Sequence, residues 1–180
     1  MITDASLNPI PIGSPLSCVG AAGVNFQSNV LDILGVGVGM APPSIIGNVT
    51  LFGEDPGIGG KRPQLDIAVG TAFVTANVAT LNVQFQYAPD TGAAGGYQPG
   101  TWQTAVESGA LTAAQLTAGQ IIARFDMPPA FPANQRPRFF RLNFAVPAAT
   151  NFTAGTISYA IITNVRDDWA AKFGAKNFNV

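Results

Sequence analysis

The chain has 180 residues, with 47% apolar and only 11% charged side chains, ten acids against nine bases, and no histidine. One domain with a sizeable core fits that length. Soluble domains average about 25% charged residues, so Thr, Asn, Gln and Ser must cover much of the outside. Without histidine the usual Ser–His and Cys–His nucleophiles and Cys/His zinc sites are excluded. A single cysteine, Cys18, excludes an internal disulfide. Gly (20) and Pro (14) supply the punctuation of many short strands, so the expectation is all-β.

Residues 1–28 are rich in Pro, Gly, Ser and Asn and read as an extended N-terminal arm leading into a first strand. The arm holds no basic stretch followed by an apolar core, so no secretory signal is expected. No run of 18 apolar residues suggests a membrane span. Strands are expected at the start of 29–41 and in 44–52, followed by a mobile loop, GEDPGIGGKRP, at 53–63. Leu65, Ile67 and Val69 alternate with Asp66 and Ala68. TLNVQFQY, residues 80–87, carries the clearest period of two, with Leu81, Val83, Phe85 and Tyr87 on one face and Thr80, Asn82, Gln84 and Gln86 on the other. A Gly-rich loop at 88–100 precedes the strand WQTAVES, and TAAQLTAGQ fits one helical turn stopped by Gly119. IIARFDM (121–127), RFFRLNFAV (138–146) and TISYAIITNV (156–165) are three more strands. About eight to nine short strands with uneven loops suit a two-sheet sandwich over residues 29–165, with a separate C-terminal tail at 166–180.

Motifs of chemistry are weak. GVGVGMA at 35–41 has Met40 where a dinucleotide fingerprint needs glycine, and GIGGKR at 57–62 has Arg62 where a phosphate loop needs Ser or Thr. Asp90 alone gives too few ligands for calcium. The sequons at Asn48 and Asn151 read as chance. Glu54–Asp55 and Asp167–Asp168 are neighbours in sequence and point apart in an extended chain. No catalysis, metal or cofactor is expected. Tyr87, Tyr97 and Trp102 could form a sugar-binding platform, which keeps a carbohydrate- or ligand-binding module as the alternative function. Residues 1–123 hold seven acids and two bases, and 124–180 seven bases and three acids. That polarity is too mild for nucleic acid.

In RFFRLNFAV, Phe140, Leu142, Phe144 and Val146 share a core-facing parity, and Phe139, Arg141, Asn143 and Ala145 share the other. Phe139 and Arg141 therefore lead a candidate protein-contact row. Arg138 falls on the core parity and is expected beyond the buried part of the strand. In the tail, Trp169, Phe173 and Phe178 are further contact candidates, because aromatics on a mobile segment are costly unless they dock.

Arg138, Arg141, Leu142, Asn143, Phe144 and Val146, followed by Phe152, Thr153, Ala154, Gly155 and Ile157, form a pattern that resembles the small jelly-roll capsid cement (decoration) proteins of tailed bacteriophages. TLNVQFQYAPD (80–90) and LTAGQIIARFDMPP (116–129) fit it too, so the resemblance covers roughly residues 64–165. It implies a jelly-roll-like β-sandwich on the capsid exterior, assembled in the host cytoplasm, that clamps neighbouring major capsid subunits. It also implies a homo-oligomer, most simply a dimer, and no catalysis. Residues 35–63 and 166–180 depart from the pattern as an insertion and an added tail. An interface-rich subunit on a repeating lattice gains avidity from many weak contacts, in keeping with the low charge.

Overall fold

A computed structural model describes residues 8–32, 64–91, 98–126 and 137–163. Within them lie β1 (Leu16–Ser17), β2 (Phe26–Gln27), β3 (Leu31–Asp32), β4 (Gln64–Val69), β5 (Val74–Thr75), β6 (Thr80–Pro89), β7 (Gln103–Thr112), β8 (Ile121–Asp126), β9 (Pro137–Ala145), β10 (Phe152–Ala154) and β11 (Thr156–Thr163). The expected helical turn is a single 3-10 turn, Ala113–Gln115. The backbone N–H and hydroxyl of Thr112 both donate to Gln115 Oε1 (2.9 and 3.0 Å), and Gly119 follows at φ +78°.

The strands form two main antiparallel sheets. The first runs β1-β11-β4-β8. The second runs β9-β6-β7, with β2 and β3 both on the outer edge of β9. A small pair, β5 with β10, lies between them in the chain path. The period-two pattern of the sequence is what builds the core. Leu65, Ile67 and Val69 of the first sheet and Leu81, Val83, Phe85, Leu142 and Phe144 of the second are all buried in one apolar cluster. Each such side chain removed from water contributes about 2 kcal/mol. Phe85 stacks on Phe140 across β6 and β9 at 5.5 Å between ring centres. The result is an all-β, sandwich-like domain.

The N-terminal stretch is extended, as its composition suggests, and its described part is integrated into the domain. Ile10 bridges to Ala160, and Leu16 and Ser17 pair with Ile157 and Thr156. Phe26 and Gln27 then pair with Phe144 and Asn143 of the other sheet. Residues 8–28 therefore close one edge of each sheet. Two-residue strands separated by Pro and Gly are too short to show a period, so the sequence reads as an arm. The segments 44–52 and 53–63 and the tail 166–180 lie outside the described residues, as do 33–41 and 92–97.

Four connections meet at one end of the domain, and every one of them crosses between the sheets. They are 18–25 (β1 to β2), 70–79 (β4 to β6, carrying β5), 113–120 (β7 to β8) and 146–155 (β9 to β11, carrying β10). A clasp of side chains holds two of them together. Asn77 Nδ2 donates to the Ala149 carbonyl (3.2 Å) and to Asn151 Oδ1 (3.1 Å), and the Asn151 N–H donates back to Asn77 Oδ1 (3.1 Å). The Thr75 hydroxyl donates to the Asn151 carbonyl and accepts from the Ala79 N–H. Val78 and Ala149, flanking this clasp, sit at φ +58° and +63°. Such a backbone is rare for any side chain and an outlier for a β-branched one.

Candidate functional site

The outer face of the second sheet carries the row that includes Arg141. β9 lies between β2 and β6, with Gln86 opposite Arg141 and Gln84 opposite Asn143. Period two turns these polar side chains away from the core. Arg141 Nε donates to Gln86 Oε1 and Nη1 donates to Gln27 Oε1, both at 2.9 Å. The guanidinium carbon lies 4.1 Å from the ring centre of Trp102, just before β7. Arg141 thus reaches over β6 to an aromatic ring that sequence spacing does not connect to it. Partial burial lowers its pKa from the ordinary arginine value, and an arginine so placed stays charged.

A directed chain of amides continues from there. Gln86 Nε2 donates to Gln84 Oε1 (3.3 Å), Gln84 Nε2 to Glu107 Oε2 (3.4 Å), and Asn82 Nδ2 to the same carboxylate oxygen (2.8 Å). Asn143 Nδ2 also donates to Gln84 Oε1 (2.8 Å). One cation and one anion stand at opposite ends of a field of neutral amides. Among the described residues the face is polar and nearly without net charge.

Phe139, placed with Arg141 by parity, is only 4% exposed. It is therefore withdrawn from the contact row, which Arg141 leads alone. Its neighbour across the strands, Ala88, is also buried, so that end of the outer face is covered within the chain. Arg138 requires a correction. It is buried on the core parity rather than beyond the buried part of the strand. Its Nε and Nη2 donate to the two carboxylate oxygens of Asp32 (2.8 Å each), and Nη1 to Asp90 Oδ2 (2.9 Å). The Asp32 hydrogen bond, and secondarily the charges of Asp32 and Asp90, raise its pKa against the opposing effect of burial. Asp90 is thus a structural partner of Arg138. The partners lie 106 and 48 residues away, and nothing in the local sequence announces them.

Of the three rings considered for a sugar platform, Tyr87 is buried and its hydroxyl donates to Gln103 Oε1 (3.0 Å). Trp102 has one face under Arg141, and Tyr97 lies outside the described residues, as do Trp169, Phe173 and Phe178.

The second candidate surface is the end where the four connections meet. Residues 18–25, 70–79, 113–120 and 146–155 contain no Asp, Glu, Lys or Arg. Val19, Val24 and Val74 are exposed there, and Val78 is 84% exposed at the tip of the asparagine clasp. The charges of described side chains lie elsewhere, in the Asp32–Asp90–Arg138 cluster, the Asp66–Arg124 pair (2.6 Å), Glu107 and Arg141. Sequence reading could have found this surface from the four charge-free stretches, but only the topology brings them to one end.

No protein-family model matches the chain, and no curated protein matches it in sequence.

Proposed function

We propose that this chain is a virion structural protein: a jelly-roll capsid cement protein that sits on the capsid exterior and clamps neighbouring major capsid subunits, acting with further copies of itself as a homo-oligomer. The topology supports the jelly-roll reading. With β2 and β3 counted as one strand and the small β5/β10 pair set aside, eight strands fall into two sheets in the orders 1-8-3-6 and 2-7-4-5, switching sheets at every connection but the fourth-to-fifth, an order that favours a double Greek key. The observation that carries the functional reading is the charge-free end. Four loops present valines and alanines, two of them tied together by an asparagine clasp, and an exposed apolar patch rimmed by polar groups marks a protein-contact surface.

The test uses heads assembled without this protein. The purified chain should co-sediment with them, and electron microscopy should place it across subunit boundaries. Val78→Asp puts a charge at the most exposed apolar tip without touching the core. It should weaken head binding about tenfold or more, as for loss of a contact worth ~1.4 kcal/mol, with a thermal melt no lower than that of the wild type, because Asp tolerates the positive φ of this position better than Val. A wild-type chain that ignores the heads ends the cement reading, and a Val78→Asp chain that binds equally well moves the contact away from this end.

A further inference from the structure

We propose that Arg141 and Trp102 form a receptor for a carboxylate, the side chain of an Asp or Glu on the protein against which the domain docks. The inference rests on the interface reading above and adds the chemistry of one contact.

The described arginines divide into two kinds. Arg124 meets Asp66, and Arg138 meets Asp32 and Asp90. Arg141 meets no carboxylate among the described residues. Its two hydrogen bonds go to glutamine carbonyls, which orient a guanidinium without neutralising it. A guanidinium has five N–H groups. Here Nε and one hydrogen of Nη1 are engaged, and no described residue accepts from Nη2. The ring of Trp102 lies 4.1 Å from the guanidinium carbon and covers one side of the group. The cation is therefore held on three sides, partly desolvated, and offers the rest of its fork outward.

A planar carboxylate matches such a fork with two parallel hydrogen bonds. Ordering costs little, because the side chain is already fixed before the partner arrives. Arg and Trp are also the residue types that most often dominate binding energy at protein contacts. A nucleic-acid phosphate would use the same fork, but it brings a run of negative charge. Among the described residues this face offers a single cation, with Glu107 at the far end of the amide chain, and these residues form no basic stripe of the kind a polyanion needs. A protein carboxylate is the better match.

The first experiment follows the Arg141 Nε–H and Trp102 Nε1–H resonances of labelled protein during titration with sodium acetate at constant ionic strength, with sodium chloride as control. Both signals should move saturably with acetate and not with chloride, and the Trp102 response should vanish in Arg141→Lys, which keeps the charge and loses the fork. Equal responses to acetate and chloride, no response, or a larger response to single-stranded oligothymidylate would overturn the proposal. The second experiment compares wild type, Arg141→Lys and Arg141→Gln for binding to heads assembled without the protein, each variant first checked by thermal melt. Both variants should bind at least tenfold more weakly. If wild type binds and Arg141→Lys binds equally well, the carboxylate receptor is wrong and the cement reading stands. If wild type does not bind heads, the cement reading fails, and the acetate titration still judges the site.

Discussion

Gly155 shows how a single position can be required twice over. Its φ is +143°, and a Cβ built there would lie 2.5 Å from the ring of Phe73, itself packed edge-on against Phe152 at 4.9 Å. Gly155→Ala therefore meets both backbone strain and overpacking, each worth roughly 1–3 kcal/mol. A loss of about 3 kcal/mol or more is expected in a denaturant titration, and one under about 1 kcal/mol would mean that Phe73 can move aside. Cys18 makes a different kind of prediction. Burial raises its thiol from the ordinary 9.0 to about 12. The unfolded thiol ionises above pH 9 while the folded one stays neutral until about 12. The stability this contributes is complete below pH 9 and is lost between those values, at about 1.4 kcal/mol per pH unit. Compared with Cys18→Ala, the wild type should show that extra alkaline slope, and parallel pH profiles for the two would refute it.

The edge strand formed by β2 and β3 is broken at Ser28, and the break is bridged by a side chain. The Ser28 N–H donates to the Leu142 carbonyl (3.0 Å), while the buried Leu142 N–H donates to Ser28 Oγ (2.9 Å) in place of a main-chain carbonyl. Ser28→Ala strands that N–H and should cost about 1–3 kcal/mol, measurable as a lower denaturation midpoint at unchanged slope. This element also shows what could be read in advance. β4, β6, β9 and β11 announce themselves because one buried face imposes alternation over six to ten residues. β2 and β3 have two residues each, and their place is fixed by pairing with β9, about 110 positions away, which no local pattern encodes. The same limit applies to side chains. Parity correctly sends Leu142 and Phe144 inward and Arg141 outward. It misplaces Arg138, because inward parity excludes an arginine only when no carboxylate waits there, and Asp32 and Asp90 are brought to it by the fold. The Trp102–Arg141 stack was invisible for the same reason: its members belong to different strands, with β6 between them.

At the scale of the whole domain, the two candidate surfaces differ in physical character. Association through Arg141 rests on one half-buried charge and should weaken as salt rises. Association through the loop end, tested by Val78→Asp, rests on apolar burial and should hold or strengthen in sulfate. Running the head-binding assay across both conditions thus tells which surface carries the contact. The charge-free end has one more consequence. Cys18, the only ionisable side chain in its four loops, is buried and neutral over the physiological range. Whatever this end binds, it can bind without taking up or releasing a proton of its own. A particle held together there would feel the acidity of its surroundings only through its other component.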